Sequence, residues 1–205
     1  MVSEIIGNDP LGENVIQTTE DAVKRLLNSG ARLIPDKLNI YGLPVSIPLE
    51  ILRKHIFTQE TTEQWQRWYG IDFSPLVDAT GEQNHFMRIN TYETRDWLCL
   101  SDPVLLVEID LKTHRYSDIK ISRRPHTRNS GLLNAIIVYF EMDLGKTIHF
   151  SIHPDQVTPE NSWASKVWIP GTPVPLESGE PFYLHYSYDN SGSIFDVQKN
   201  SSSFE

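Results

Sequence analysis

The sequence predicts a mainly β protein, a barrel or sandwich of short strands that follows a loop and one helix and carries a helical insertion. Three observations predict this. Beyond Trp68, strand-like apolar runs recur at short intervals, at 103–111, 132–144, 146–152, 163–169 and 181–189. Eleven glycines and thirteen prolines, with Asn and Asp, punctuate the chain and favour turns over long helices. Clear helical periodicity is confined to residues before 70.

The elements follow in order. The opening MVSEIIGNDPLGE is a polar, Gly/Pro-bearing loop with carboxylates at Glu4 and Glu13. Residues 14–28 read as the main helix, with Val15, Ala22, Val23, Leu26 and Leu27 approximating one apolar face. Ser29-Gly30 supplies its stop, after Lys24 and Arg25 in the last turns. ARLIPDKLNIYGLPV then gives two short extended pieces hinged at Pro35-Asp36. Residues 48–68 carry Leu49, Leu52, Ile56, Trp65 and Trp68, but their middle, FTQETTE, is weak helix, so two short helices are expected there. Among the later runs, IIVYF is apolar throughout and should be a central strand buried on both faces. PFYLHYSYD alternates as a half-buried strand does. The tail KNSSSFE should be frayed.

Charge narrows the function classes. Acidic residues outnumber basic ones 27 to 18, a formal net charge of -9. Nucleic-acid binders carry a basic footprint, so that class is disfavoured. The one basic cluster, RRPHTR at 123–128, reads as a solvated hairpin tip or a substrate contact. No apolar run reaches membrane-spanning length, and the N-terminus lacks signal-peptide character. A single cysteine, Cys99, allows no intrachain disulfide, which fits a reducing, cytoplasmic setting. Its apolar neighbours in DWLCLSD make it a buried structural thiol rather than a nucleophile.

Chemistry-bearing constellations are few. Glu4 and Glu13 flank a Gly/Pro loop. Converging carboxylates can act as acid and base, bind a metal or grip a guanidinium through charge-assisted bidentate bonds. On spacing alone, two surface glutamates nine residues apart have no joint role. His149 and His153 stand at i, i+4, but on a strand ending at Pro154 they lie too far apart to chelate closely. The aromatics Trp65, Trp68, Tyr69 and Phe73 suggest a packing or interface patch. No G-x-S-x-G elbow, Walker loop or G-x-G-x-x-G is present.

Five segments in order resemble one family. SEIIGNDPLGE is similar to a double-E loop, with its second Glu nine residues after the first. DAVKRLLNSGARLIPDKLNIYG resembles a helix and crossover leading into a barrel. WYGIDFSPL resembles a Tyr-Gly-bearing segment, LLNAIIVYFEMDL a central barrel strand, and HPDQVTPENSWASKVWIPGTPVPLESGE a stretch with a Trp-ending triplet, an apolar strand and a turn. Together they resemble the C-terminal half of the protein arginine methyltransferases, in a bacterial-type form, from Ser3 to about Asp189.

The resemblance implies residues 1–34 as the end of a Rossmann-like methyltransferase domain, 35–197 as a β-barrel with a helical arm near 48–68, and 198–205 as a disordered tail. It implies a homodimer through that arm, using Leu49, Leu52, Ile56 and Trp65. Glu4 and Glu13 would clamp the guanidinium of an arginine-containing protein or small molecule. That would localise its charge away from one terminal nitrogen and aim the lone pair there at the sulfonium methyl of S-adenosylmethionine. The family's Thr-His-Trp triplet reads Asn161-Ser162-Trp163, three candidate substrate-binding residues. Ser162 cannot form the charged pair a histidine would make with an acidic residue. The family's cofactor residues would precede Ser3, so the chain alone is expected not to bind S-adenosylmethionine. The alternatives are a non-catalytic scaffold that binds a partner and a free-standing small-molecule-binding barrel.

Overall fold

The computed structural model describes residues 1–55, 57–81, 85–115, 118–145, 147–189 and 192–199. Among the described residues, four α-helices and twelve strands follow one another. The first half contains α1 (Val15–Arg25), β1 (Lys37–Ser46), α2 (Leu49–Leu52), α3 (Gln59–Tyr69), α4 (Ser74–Gly81), β2 (His85–Asn90), β3 (Leu98–Cys99) and β4 (Val104–Asp110). The second contains β5 (Ile119–Arg123), β6 (Gly131–Leu133), β7 (Ala135–Gly145), β8 (Ile148–Ser151), β9 (Ala164–Ile169), β10 (Val174–Leu176), β11 (Tyr183–Asp189) and β12 (Gly192–Gln198). A 3-10 turn at Thr91–Thr94 precedes β3. The mainly β expectation is met.

Three antiparallel sheets enclose one core in a barrel-like arrangement. The largest has the order β2-β9-β7-β1-β3, with β4 also on β1 and β8 also on β7. β12-β11-β5 and β10-β6 form the others. β7 is the central strand expected of IIVYF: Ala135 to Phe140 are all buried, and it pairs with β1, β8 and β9. β1 lies along it from Lys37↔Asp143 to Val45↔Ala135. Its other edge passes from β4, whose pairing ends at Gly42↔Val104, to β3, which begins at Val45↔Cys99. Pro44, which has no N–H to donate, falls in that gap. Gly42 leaves room for its neighbours on β4 and β7, because a Cβ there would stand 3.1 Å from Ile136 Cγ2 and 3.4 Å from Leu106 Cδ1.

A buried amide locks the end of β1. Asn134 is 2 % exposed. Its Oδ1 accepts from Ile47 N at 2.6 Å, and its Nδ2 donates to Ile47 O at 3.1 Å. Asn134→Ala strands both backbone groups and is expected to cost about 2–3 kcal/mol. The check is a lower urea midpoint at unchanged slope.

Several expectations need correction. The first helix ends at Arg25 rather than residue 28, because the N–H groups of both Leu26 and Leu27 turn to Ala22 O. Leu26 is therefore 70 % exposed, and the buried face is Val15, Ile16, Thr19 and Ala22. Beyond the hinge at Pro35-Asp36, the chain forms a single ten-residue strand. Cys99 is exposed, since β3 is only two residues long and presents it outward. Its sulfur, 3.8 Å from Trp97 O, is partly sheltered. That desolvation, with the charge of Asp155, raises the thiol pKa. The 123–128 segment is a crossing between β5 and β6, with Thr127 bridged to Ser101 and His126 to Pro181. It is not a hairpin tip. Gln198 closes β12 and so belongs to the sheet, while residues 200–205 of the expected tail lie outside the described residues.

The insertion forms the expected two helices, α2 and α3, and a third, α4. Thr58 caps α3 by accepting from Thr61 N, and Gly70 at φ 68 ends it. Leu52 is buried in the core and so not free for a partner, while Trp65, half-buried, stands edge-on between Phe57 and Phe73. Ile56 lies outside the described residues. The exposed apolar side chains here are Leu49, Trp68, Tyr69 and Ile71. No described helix is long and apolar enough to cross a membrane.

Candidate functional site

The N-terminal loop is fastened to the barrel at several points. Val2 bridges Ile34 in parallel, and Ser3 N donates to Ile34 O at 2.9 Å. Asn8 Oδ1 accepts from Ala164 N at 2.7 Å, and Lys166 Nζ meets Asp9 Oδ2 at 2.6 Å. Tyr188 donates to Leu11 O at 2.8 Å. The loop therefore rides on β9 and β11, whose Val167, Trp168, Leu184 and Tyr186 are buried. At the foot of the loop, Asn14 adopts a left-handed conformation, φ 56, and turns the chain into α1.

Trp163 couples the loop to the core. Its Nε1 donates to Ile6 O at 2.9 Å, while its ring packs on Phe150 at 5.0 Å and Phe140 at 6.0 Å. Glu4, Glu13, Ser162 and Trp163, remote in sequence, all line one cavity of about 320 Å³ with Ile5, Ile6, Gly7 and Asn8. Glu4, Glu13 and Ser162 are exposed and Trp163 is half-buried. Gly7 gives the Glu13 carboxylate room, because a Cβ there would lie 2.6 Å from Glu13 Oε1. Among the described residues, no cation pairs with either carboxylate. Two uncompensated carboxylates on one cavity wall favour a cationic ligand.

Asn161 is not on this wall. It lines an adjoining groove of about 340 Å³ that shares Ser162 and Trp163 with the first cavity. Its Nδ2 donates to Trp163 O at 2.7 Å, which shapes the turn that presents Trp163. An apolar hollow under the loop, lined by Ile5, Val15 and Leu33, has room for only about 10 Å³ and admits no organic ligand. Asn8 and Asp9, which fasten the loop, were not singled out in the sequence. The Asn-Asp-Pro turn chemistry was visible, but its partners Ala164 and Lys166 are more than 150 residues away.

Among the described residues, no group of three or more His, Cys, Asp or Glu side chains is placed to hold a metal ion. His149 Nδ1 lies 2.9 Å from Asp143 Oδ1, and His153 stands edge-on to Tyr139 at 5.0 Å. The Asp143 hydrogen bond, with the charges of Glu141 and Asp143, raises the His149 pKa. A raised folded-state pKa adds stability below the unfolded value, ~6.5, and that stability is lost as pH rises through the folded value. His149→Gln is therefore expected to destabilise slightly at pH 5.5 and not at pH 9, read as chemical-denaturation midpoints. The effect is small because the His149 side chain is 52% exposed.

Dinucleotide-type sites are built at the carboxyl ends of parallel strands beside a Gly-rich turn, whereas every pairing among the described strands β1–β12 is antiparallel.

Comparison with known proteins gives the lineage. The family model for the arginine methyltransferase oligomerization subdomain matches residues 49–195. An arginine N(omega)-methyltransferase of Streptomyces achromogenes subsp. streptozoticus is 30% identical over 93% of this chain and 49% of its own length. Protein arginine N-methyltransferase 1.6 of Arabidopsis thaliana is 24% identical over 98% of this chain and 29% of its own length. The chain thus spans no more than half of either relative. The Trypanosoma brucei PRMT1 enzyme-prozyme heterotetrameric complex with AdoHcy contains a chain of similar fold, with a TM-score of 0.67 and 19% identity, covering 90% of this chain and 56% of that one. Matched over more than two thirds of its residues, the chain belongs to the arginine methyltransferase oligomerization subdomain family.

Proposed function

We propose that this chain is the guanidinium-binding barrel portion of an arginine methyltransferase-like enzyme. One observation carries the reading: Glu4 and Glu13 line a single cavity with Trp163 and have no cationic partner among the described residues. The acceptor is an arginine guanidinium, in a protein or as a small molecule. Its planar fork of N–H donors suits two carboxylates. Glu4 and Glu13 bind it, draw its positive charge toward themselves and leave one terminal nitrogen electron-rich. One of the two accepts that nitrogen's proton late in the reaction. Trp163 walls the cavity and keeps the loop in register through Ile6.

In this reading S-adenosylmethionine supplies an electrophilic methyl group from a separate nucleotide-binding domain. Leu49, Trp68, Tyr69 and Ile71 form the homodimer face of the arm, in keeping with the oligomerization family, and the setting is cytoplasmic. Calorimetry tests the division of labour. The 205-residue chain is expected to give no heat with S-adenosylmethionine, and the same chain joined to a family nucleotide-binding domain to bind it and methylate an arginine substrate. Tight cofactor binding by the chain alone would defeat the proposal.

A second reading, a non-catalytic partner subunit, is favoured by Ser162 standing where the family's histidine is expected. It predicts that the joined protein binds an arginine peptide but transfers no methyl group, and that Ser162→His does not change this.

A further inference from the structure

The basic cluster at 123–128 has no part in the proposed reaction, yet it builds a groove. Arg123, Arg124 and Arg128 line a surface groove of about 490 Å³ with Asp102, over a floor that includes Val104 and Thr127. Three guanidinium groups thus face one carboxylate, on a chain whose net charge is -9. The volume falls within the ~300–1,000 Å³ typical of ligand clefts.

The arginines differ in how they are held. Arg123 donates through Nε to Leu105 O at 3.0 Å and through Nη1 to Ser122 O at 3.3 Å. Backbone carbonyls fix its orientation without neutralising its charge. Arg124 lies over the Tyr183 ring at 5.5 Å, again without a carboxylate. Arg128 pairs with Asp102 at 2.7 Å and closes the other wall. Two oriented guanidinium groups, adjacent in sequence and uncompensated among the described residues, form a site for oxyanions. Arginine forks match carboxylates in bidentate geometry.

We propose that this groove binds an acidic peptide segment, rich in Asp or Glu, of a partner protein. A long nucleic acid fits less well, because it would also lie against the chain's acidic surface. At physiological salt the Debye length is about 8 Å, so distant acidic residues are screened while contacts inside the groove persist. A short acidic segment engages the arginines and little else.

The test is fluorescence anisotropy of a labelled hexaglutamate peptide with the 205-residue chain at 0.15 M salt. Saturable binding is expected. Exposed charge pairs are individually weak, so Arg124→Gln should weaken it about threefold and Arg123→Gln/Arg124→Gln about tenfold. Arg88→Gln, an exposed arginine on β2, should have no effect. Among the described residues Arg124 lies over the Tyr183 ring and makes no ion pair, so its replacement keeps the result interpretable if Arg123→Gln disturbs β5. No binding, or binding unchanged in the double variant, overturns the proposal. So does full displacement by inorganic phosphate at matched ionic strength, which would mark a site for lone oxyanions, or equal groove-dependent binding of an oligothymidylate.

Discussion

Glu4→Gln and Glu13→Gln are each expected to lower kcat/KM for methyl transfer by about 10²- to 10³-fold in the joined enzyme, the scale seen when one preorganised polar group is removed from a developing charge. Glutamine keeps the shape and an acceptor oxygen. It loses the negative charge that polarises the guanidinium and strengthens each N–H···O bond. Folding should be unaffected. Both side chains are exposed and carry no ion pair among the described residues, and such surface substitutions usually stay within about ±0.5 kcal/mol. Steady-state kinetics with a thermal melt separates the two effects. Loss of activity accompanied by a lower Tm would mean the loop had collapsed; wild-type rates in both variants would remove the clamp.

The largest stability effect is expected from Phe140→Ala, about 3–5 kcal/mol. Phe140 is fully buried at the centre of β7, opposite Ile40 on β1. Truncation leaves a ring-sized void that the sheet can close only in part. For a domain of ordinary stability, about 5–15 kcal/mol, much of the margin is lost. The void also removes the ring on which the Trp163 indole stands. Urea denaturation should show the loss, and the Trp163 emission should broaden or shift in the folded state. A cost under 1 kcal/mol would contradict the packing described.

Sequence legibility followed chain distance. β7 was readable because an uninterrupted apolar run such as IIVYF has one stable place, between two covered faces. Strands β2, β3, β5, β10 and β12 went unsignalled, and β6 was read as the start of the run 132–144, which Asn134 divides. Most are short, and their burial depends on partners such as β9 for β2 and β11 for β12. Leu52 and Trp65 were assigned to a partner face by the resemblance, whereas Leu52 packs into the core, Trp65 is half-buried between Phe57 and Phe73, and Trp68, Tyr69 and Ile71 are left exposed. Cys99 misled because apolar neighbours predict burial only in a strand long enough to be covered. At the site, Glu4, Glu13, Ser162 and Trp163 were singled out by resemblance rather than spacing. Their shared cavity depends on Asn8, Asp9 and Leu11 reaching β9 and β11 across more than 150 residues, which no local pattern could announce.

The guanidinium clamp is tested most directly at the Trp163 indole, which lines the cavity and carries its own N–H reporter. In ¹⁵N-labelled chain, titration with an arginine-containing peptide should shift the Trp163 Nε1–H resonance saturably. A matched citrulline peptide, neutral but of the same shape, should leave it in place, as should the arginine peptide in the Glu4→Gln/Glu13→Gln variant. An equal shift with citrulline, or one that survives loss of both carboxylates, would contradict the account.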